Sequence, residues 1–253
     1  MRFILLSIVF ILSIELPVFS QSKLKAAEEY FSKKYNIIEN GKANSQNIDR
    51  AIQLFGESTS EPDKTIGLLK SYEFKASWTE VSESEKRDLY EKAIALAKSK
   101  AGEYPNNGAI AYWYSANYAR WANLIEITEA AQEGVLDKIK KLTERAIELD
   151  KKYNQAGALR LLGGLHMEAP SIPLILSWPS NEVAEKLLKK AYSIAPEHTA
   201  NVYLYAKILH VVGKEKKAQR ILKELTNRQA REQYFLVDKK YIQKGKELYT
   251  QNY

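Results

Sequence analysis

The sequence predicts an all-α protein in which helical hairpins stack into a short α-solenoid. Three observations predict it. Apolar residues recur at helical spacing along nearly the whole chain after residue 22. The 253 residues include only 11 glycines and 7 prolines, too few turn residues for a β-rich fold. Small and large residues also return at fixed offsets in successive helix pairs, which is the mark of a repeat. With 45% hydrophobic residues the chain can build a substantial core, so wholesale disorder is excluded.

Residues 1–20 read as a secretory signal: Arg2, an apolar run to Ile14, a break at Pro17, and Ser20 before a cut at Gln21. The apolar run is short for a membrane span and ends at Glu15. Cleavage predicts a protein free in the periplasm; an uncleaved signal would tether it to the membrane. Residues 21–253 then form one helical-repeat domain. Its first helix, over 23–34, carries Leu24, Ala27, Tyr30 and Phe31 on one face. Asn44 and Ser45 cap a second, and Pro62 opens a third that runs to Trp78. Ser82 with the acidic Glu83 and Glu85 starts a fourth, which stops before Tyr104-Pro105. Helices follow over about 109–126, 134–150, 156–166, 181–194, 199–212 and 214–227, with a polar helical tail from 230. Insertions fall near 123–133 and 167–180, and a basic tail spans 228–253.

The repeat register is clearest from Thr199 to Thr226. Tyr205-Ala206 lies in the first helix, Gly213 at the turn, and Ala218 and Leu222 in the second. Leu162-Gly163, Ala184, Leu188, Ala191 and Pro196 repeat the pattern one unit earlier; Ala116, Ile139 and Ala146 repeat it before that. These are the small and large positions of a tetratricopeptide-like helix pair, where close crossing requires little side chain. Such stacks bury a continuous core and offer a concave surface built by their first helices.

Within this frame, Tyr112-Trp113-Tyr114-Ser115-Ala116, Ala119-Arg120-Trp121-Ala122, Gly157 to Gly163 and Ala169-Pro170-Ser171-Ile172-Pro173 resemble the TatT family. That family is the T component of tripartite ATP-independent periplasmic transporters. The resemblance covers roughly 85–225. It implies an exported helical-repeat protein that contacts a substrate-binding subunit and assembles as a trimer. The family's known member is a lipoprotein, whereas this chain has no cysteine to lipidate.

Candidate ligand-binding residues cluster on the aromatic helix. Tyr114, Tyr118 and Trp121 share one face, and Trp113, Asn117 and Arg120 a neighbouring stripe. Rings on such a face either stack on an organic ligand, with Asn117 and Arg120 orienting its polar or anionic groups, or pack between hairpins. Arg160 is placed to grip a carboxylate, or to pair with Glu144 or Asp150. His166, beside the proline-rich insertion, either hydrogen-bonds a ligand or caps its helix. Trp178 in that insertion and Lys214, Lys217 and Arg220 in the last full repeat are candidate partner contacts.

Charge is uneven. Residues 21–206 carry 25 basic and 25 acidic side chains, whereas 207–253 carry 12 and 5, so the net +7 resides at the C-terminal end. That end predicts either docking to an acidic partner or a solvated cap. No cysteine means no disulfide, thiolate nucleophile or Cys-ligated metal, and the three histidines lack metal-ligand spacing. No nucleophile elbow or phosphate loop is present, and no nucleic-acid motif. The expectation is a non-catalytic, cofactor-free binding protein whose partner is another periplasmic protein or a small organic anion. An envelope scaffold without a small ligand is the alternative, and a hydrolase in the groove a remote one.

Overall fold

The computed structural model of the protein describes residues 15–126, 130, 133–170 and 176–253. Residues 1–14 of the expected signal, and 127–129, 131–132 and 171–175 of the expected insertions, lie outside the described residues. The elements are α1 (Glu15–Ser32), β1 (Ile38–Glu39), β2 (Lys42–Ala43), α2 (Gln46–Glu57), α3 (Asp63–Trp78), α4 (Glu83–Glu103) and α5 (Gly108–Ala122). They continue with α6 (Val135–Asp150), α7 (Tyr153–Glu168), α8 (Asn181–Ile194), α9 (Thr199–Val211) and α10 (Glu215–Thr226). A 3-10 turn at Glu232–Tyr234 leads into α11 (Phe235–Asn252).

Each helix packs on the next, and α1, α3, α5, α7, α9 and α11 also pack on one another in series. The odd helices therefore form an inner layer and the even ones an outer layer, the arrangement of stacked hairpins. Helix starts follow local chemistry. The Ser82 hydroxyl accepts the Glu85 amide at 3.1 Å, Asn107 Oδ1 accepts that of Ile110 at 3.0 Å, and Ser180 that of Val183 at 3.4 Å. The hairpin crossings are made by the expected small residues: Ala184, Ala191, Ala206 and Ala218 are fully buried, beside Leu188 and Leu222. At Gly163 the approach is so close that an added Cβ would meet Leu188 Cγ at 2.6 Å.

Three local features differ from the sequence expectation. Helix α1 runs through Pro17 and across the expected cut after Ser20. Ser20 is buried, and its hydroxyl accepts the Thr59 amide at 2.7 Å. Residues 38–43 form a two-stranded ribbon instead of joining the helices, since Asn40 and Gly41 both adopt positive φ in its turn. Helix α5 stops at Ala122, short of the expected 126.

The C-terminal helix closes the stack onto its beginning. Leu236 is buried in one cluster with Ala43, Ile48 and Phe74, and the Lys240 ammonium lies 5.5 Å from the Trp78 ring centroid. Asp238, fully buried, accepts from Arg231 Nε at 2.8 Å, from Arg231 Nη2 at 3.0 Å and from Thr199 Oγ1 at 2.8 Å. The helix of the basic tail buries one face, Leu236, Asp238, Ile242 and Gly245, against α9, α10 and the first unit, while Lys239, Lys240, Lys244 and Lys246 stay exposed.

Candidate functional site

The inner layer encloses a half-open groove of about 1030 Å³. All six odd helices line it, with Leu136 and Ile139 of α6 the exceptions from the outer layer. Its walls are dense in rings. Phe74 packs edge-on against Tyr35 at 5.2 Å, Tyr112 against Trp113 at 4.9 Å and tilted on Tyr153 at 5.5 Å, and Tyr203 tilted on Tyr241 at 5.6 Å. These ring edges and faces give the groove apolar walls with hydroxyl tips.

Cations are set among the rings. Lys34 lies 4.5 Å from the Phe31 centroid and 4.9 Å from that of Tyr35. Burial, reinforced by the nearby Lys70 ammonium, lowers the Lys34 pKa to about 8, against a smaller opposing pull from Glu28. Lys240 is also lowered, by burial first and then by Arg120 and Lys244. Arg120 Nε donates to Glu73 Oε1 at 2.9 Å, and 41% of the Arg120 side chain remains accessible, so the pair faces the groove rather than solid core.

A polar node joins α7 to α9 and α11. Arg160 Nη1 donates to Asn201 Oδ1 at 2.8 Å and to the Gln155 carbonyl at 3.1 Å, and Asn201 Nδ2 donates to the same carbonyl at 3.1 Å. That carbonyl is presented by the left-handed backbone of Asn154, Gln155 and Ala156, an uncommon conformation held from both sides. Asn154 Nδ2 donates to Tyr112 Oη at 2.8 Å, and Gln155 Nε2 donates to Tyr234 Oη. His198 stacks edge-on against Tyr234 at 5.7 Å. Burial and then the Arg160 and Arg231 charges depress its pKa to about 2, so its imidazole is neutral, and Nδ1 has no hydrogen-bond partner.

The structure brings only part of the sequence-predicted set to the groove. Arg120 and Arg160 line it; Tyr114, Asn117, Trp121 and His166 do not. The lining stripe of α5 is Trp113, Ala116 and Arg120, one helical step round from the aromatic face expected to do so. Asn117 is fully buried and donates to the Leu69 carbonyl at 3.3 Å and the Trp113 carbonyl at 2.9 Å, so its own side chain is spent against α3 rather than in the groove. Tyr114 packs with Leu69, Ala93, Ala97 and Ile110, and it borders a smaller recess of about 270 Å³ near Tyr104 and Arg145. Trp121 packs beside Ala76, Leu89 and Tyr90 while its Nε1 donates to Glu91 at 3.2 Å. Arg160 pairs with neither Glu144 nor Asp150; its Nη1 is turned instead to Asn201 Oδ1 and the Gln155 carbonyl.

The partner candidates sort similarly. Trp178 folds back on its own chain: it stacks edge-on to buried His166 at 5.0 Å and donates Nε1 to Asp137 at 2.6 Å. Burial, then Lys140, lowers the His166 pKa. Lys214, Lys217 and Arg220 lie at or on outer helix α10 and are exposed. Lys214 pairs with Glu185, and Lys217 donates to Tyr205 Oη at 2.8 Å. Sequence reasoning missed Lys34, Tyr35, Phe74 and Trp78, which gather within the first unit, and Lys240, which joins them only through closure of the stack. Among the described residues, no cluster of His, Asp or Glu is placed to hold a metal, and no helix is long and apolar enough to cross a membrane.

Comparison with known proteins agrees with the fold. The tetratricopeptide-repeat family profile matches residues 181–236. A crystal structure of a thermophilic TPR protein from Thermus thermophilus aligns with a TM-score of 0.59 at 14% identity, covering 92% of this chain and 97% of that one. No curated protein matches this sequence. The chain is an all-α protein of TPR-like helical hairpins stacked as a solenoid.

Proposed function

We propose that this protein is a non-catalytic interaction protein that engages another protein along the groove of its inner helices. One observation carries the reading: six successive inner helices present a continuous, ring-lined and cationic surface, about 1030 Å³ in volume, that internal packing leaves unfilled. Its size is at the upper end of pockets that accept organic ligands and matches the room an extended segment needs.

The sharper form of the proposal is an exported accessory that, like the T component it resembles at 112–122 and 157–163, contacts a substrate-binding subunit in the periplasm. A trimer is the corresponding proposal for its assembly, which light scattering of the mature chain decides. The test of the interaction itself is site-specific photo-crosslinking in cells. A benzoylphenylalanine at Ala116 or Leu161, both groove residues, is expected to capture one and the same protein, and the probe at Lys216 on outer helix α10 is not. Capture from Lys216 with silence from both groove positions would move the interaction to the outer face.

A further inference from the structure

The groove is more selective than an apolar channel, because its charges do not cancel. Its lining holds six cations, Lys34, Lys70, Arg120, Arg160, Lys240 and Lys244, against three carboxylates, Glu28, Glu73 and Glu168. Each carboxylate is already paired: Glu28 with Lys70 at 2.6 Å, Glu73 with Arg120 at 2.9 Å, and Glu168 with Lys207 at 3.0 Å. Among the described residues, no carboxylate pairs with Lys34, Arg160, Lys240 or Lys244. Instead, the ammonium groups rest near ring faces: Lys34 by Phe31 and Tyr35, Lys240 by Trp78, and Lys244 at 6.0 Å from the Tyr203 centroid.

Lys34 is half-buried, while Lys240 and Lys244 are exposed along the groove, and gathering unneutralised cations about one concave surface costs free energy through their mutual repulsion. A bound anion relieves that cost, and the low local dielectric strengthens its attraction. The rings beside the same cations offer contact to a flat or apolar body. We propose that the groove is a binding site for a small organic anion, a carboxylate carried on an aromatic or apolar body. Its acid group is held by Lys240 and Lys244, one turn apart on α11, with Lys34 adding positive charge from the first unit, and its body lies against Trp78, Phe74 and Tyr241. This goes beyond the protein contact proposed above and rests on the same groove being open to solvent.

The probe is anthracene-2-carboxylate, whose fluorescence reports its own binding, with anthracene-2-carboxamide as the uncharged counterpart of the same shape. In low salt the carboxylate is expected to bind the full chain about tenfold more tightly than the amide. The preference should shrink at 0.3 M salt. The Lys34→Gln/Lys240→Gln double variant is expected to remove the preference. Lys214→Gln, at the start of the outer helix, should leave it intact, and circular dichroism checks that all variants fold. Equal binding of carboxylate and amide would overturn the charge selectivity while leaving the groove as a binding surface. Absence of binding by either probe would overturn the small-ligand site altogether, whatever protein the photo-crosslinks capture. Loss of the preference in Lys214→Gln as large as in the double variant would place the anion on the outer face and also overturn the proposal.

Discussion

Two adjacent glycines in α7 provide a sharp test of the packing, because the structure gives them opposite fates. An alanine methyl at Gly163 would stand 2.6 Å from Leu188 Cγ, 2.8 Å from its Cδ2 and 3.4 Å from Leu187 Cβ. Leu188 is fully buried in the cluster of Val202, Tyr205 and Ala206, so it cannot yield without separating α7 from α8. Overpacking of this kind costs about 1–3 kcal/mol, and replacing glycine by alanine within a helix returns about 0.5–1 kcal/mol. Gly163→Ala is therefore expected to destabilise the protein by about 1–2 kcal/mol. At Gly164 an added Cβ meets nothing within 4 Å, so Gly164→Ala should retain the helical gain and stabilise by about 0.5–1 kcal/mol. Urea unfolding followed by helical circular dichroism, with the slope unchanged between variants, reads both values. If the two substitutions shift the midpoint in the same direction, the close α7–α8 crossing is not where the structure places it.

Other expectations concern the closing segment, the groove and a helix cap. Asp238→Ala leaves Arg231 without its buried partner and should cost about 3–5 kcal/mol in unfolding experiments, whereas the same change at exposed Glu232 should cost under about 0.5 kcal/mol. Lys34 faces Lys70 from α3 and Glu28 from α1, with the rings of Phe31, Tyr35 and Phe74 around it. Its folded pKa of about 8 lies below the ordinary lysine value of 10.5, so between these pH values the unfolded chain binds more protons and stability rises with pH. Lys34→Met should accordingly stabilise the fold by about 1–2 kcal/mol at pH 7, after allowance for partial exposure, and by less at pH 10. Thermal melts showing an equal gain at both pH values would contradict the burial of this ammonium. Ser82→Ala removes the cap of α4 and should cost about 1 kcal/mol, read from the urea midpoint.

The fold was legible where chemistry is local. Ser82, Asn107 and Ser180 mark helix starts within the sequence, and Gly163, Ala184, Ala191, Ala206 and Ala218 carry the crossing pattern that defines the repeat. The ribbon at 38–43 had a local signal too, the Asn40-Gly41 pair, which a helix-dominated pattern obscured. The site was legible only in part. Helical spacing groups Tyr114 with Trp121 and Trp113 with Arg120, but it does not say which stripe faces inward. That choice depends on Asn117 reaching the Leu69 carbonyl 48 residues away. Lys34 and Lys240 are separated by almost the whole chain, and nothing in either neighbourhood announces that α11 returns to the first unit. The +7 of the C-terminal end was visible, but not that Lys240 and Lys244 of it border the groove.

Closure of the stack is the central claim, since it is what brings the cations of α11 to the concave face of the first unit. Lys42, beside the β1–β2 turn, lies near enough to Lys240 to add to the repulsion that lowers its pKa. The chain has no cysteine, so the Lys42→Cys/Lys240→Cys double variant carries a unique thiol pair. Treated with a short bis-maleimide, the monomer is expected to crosslink internally, and mass spectrometry will link the two positions. A monomer that takes up two singly reacted maleimides and forms no internal bridge would show an open solenoid, with α11 away from the first unit.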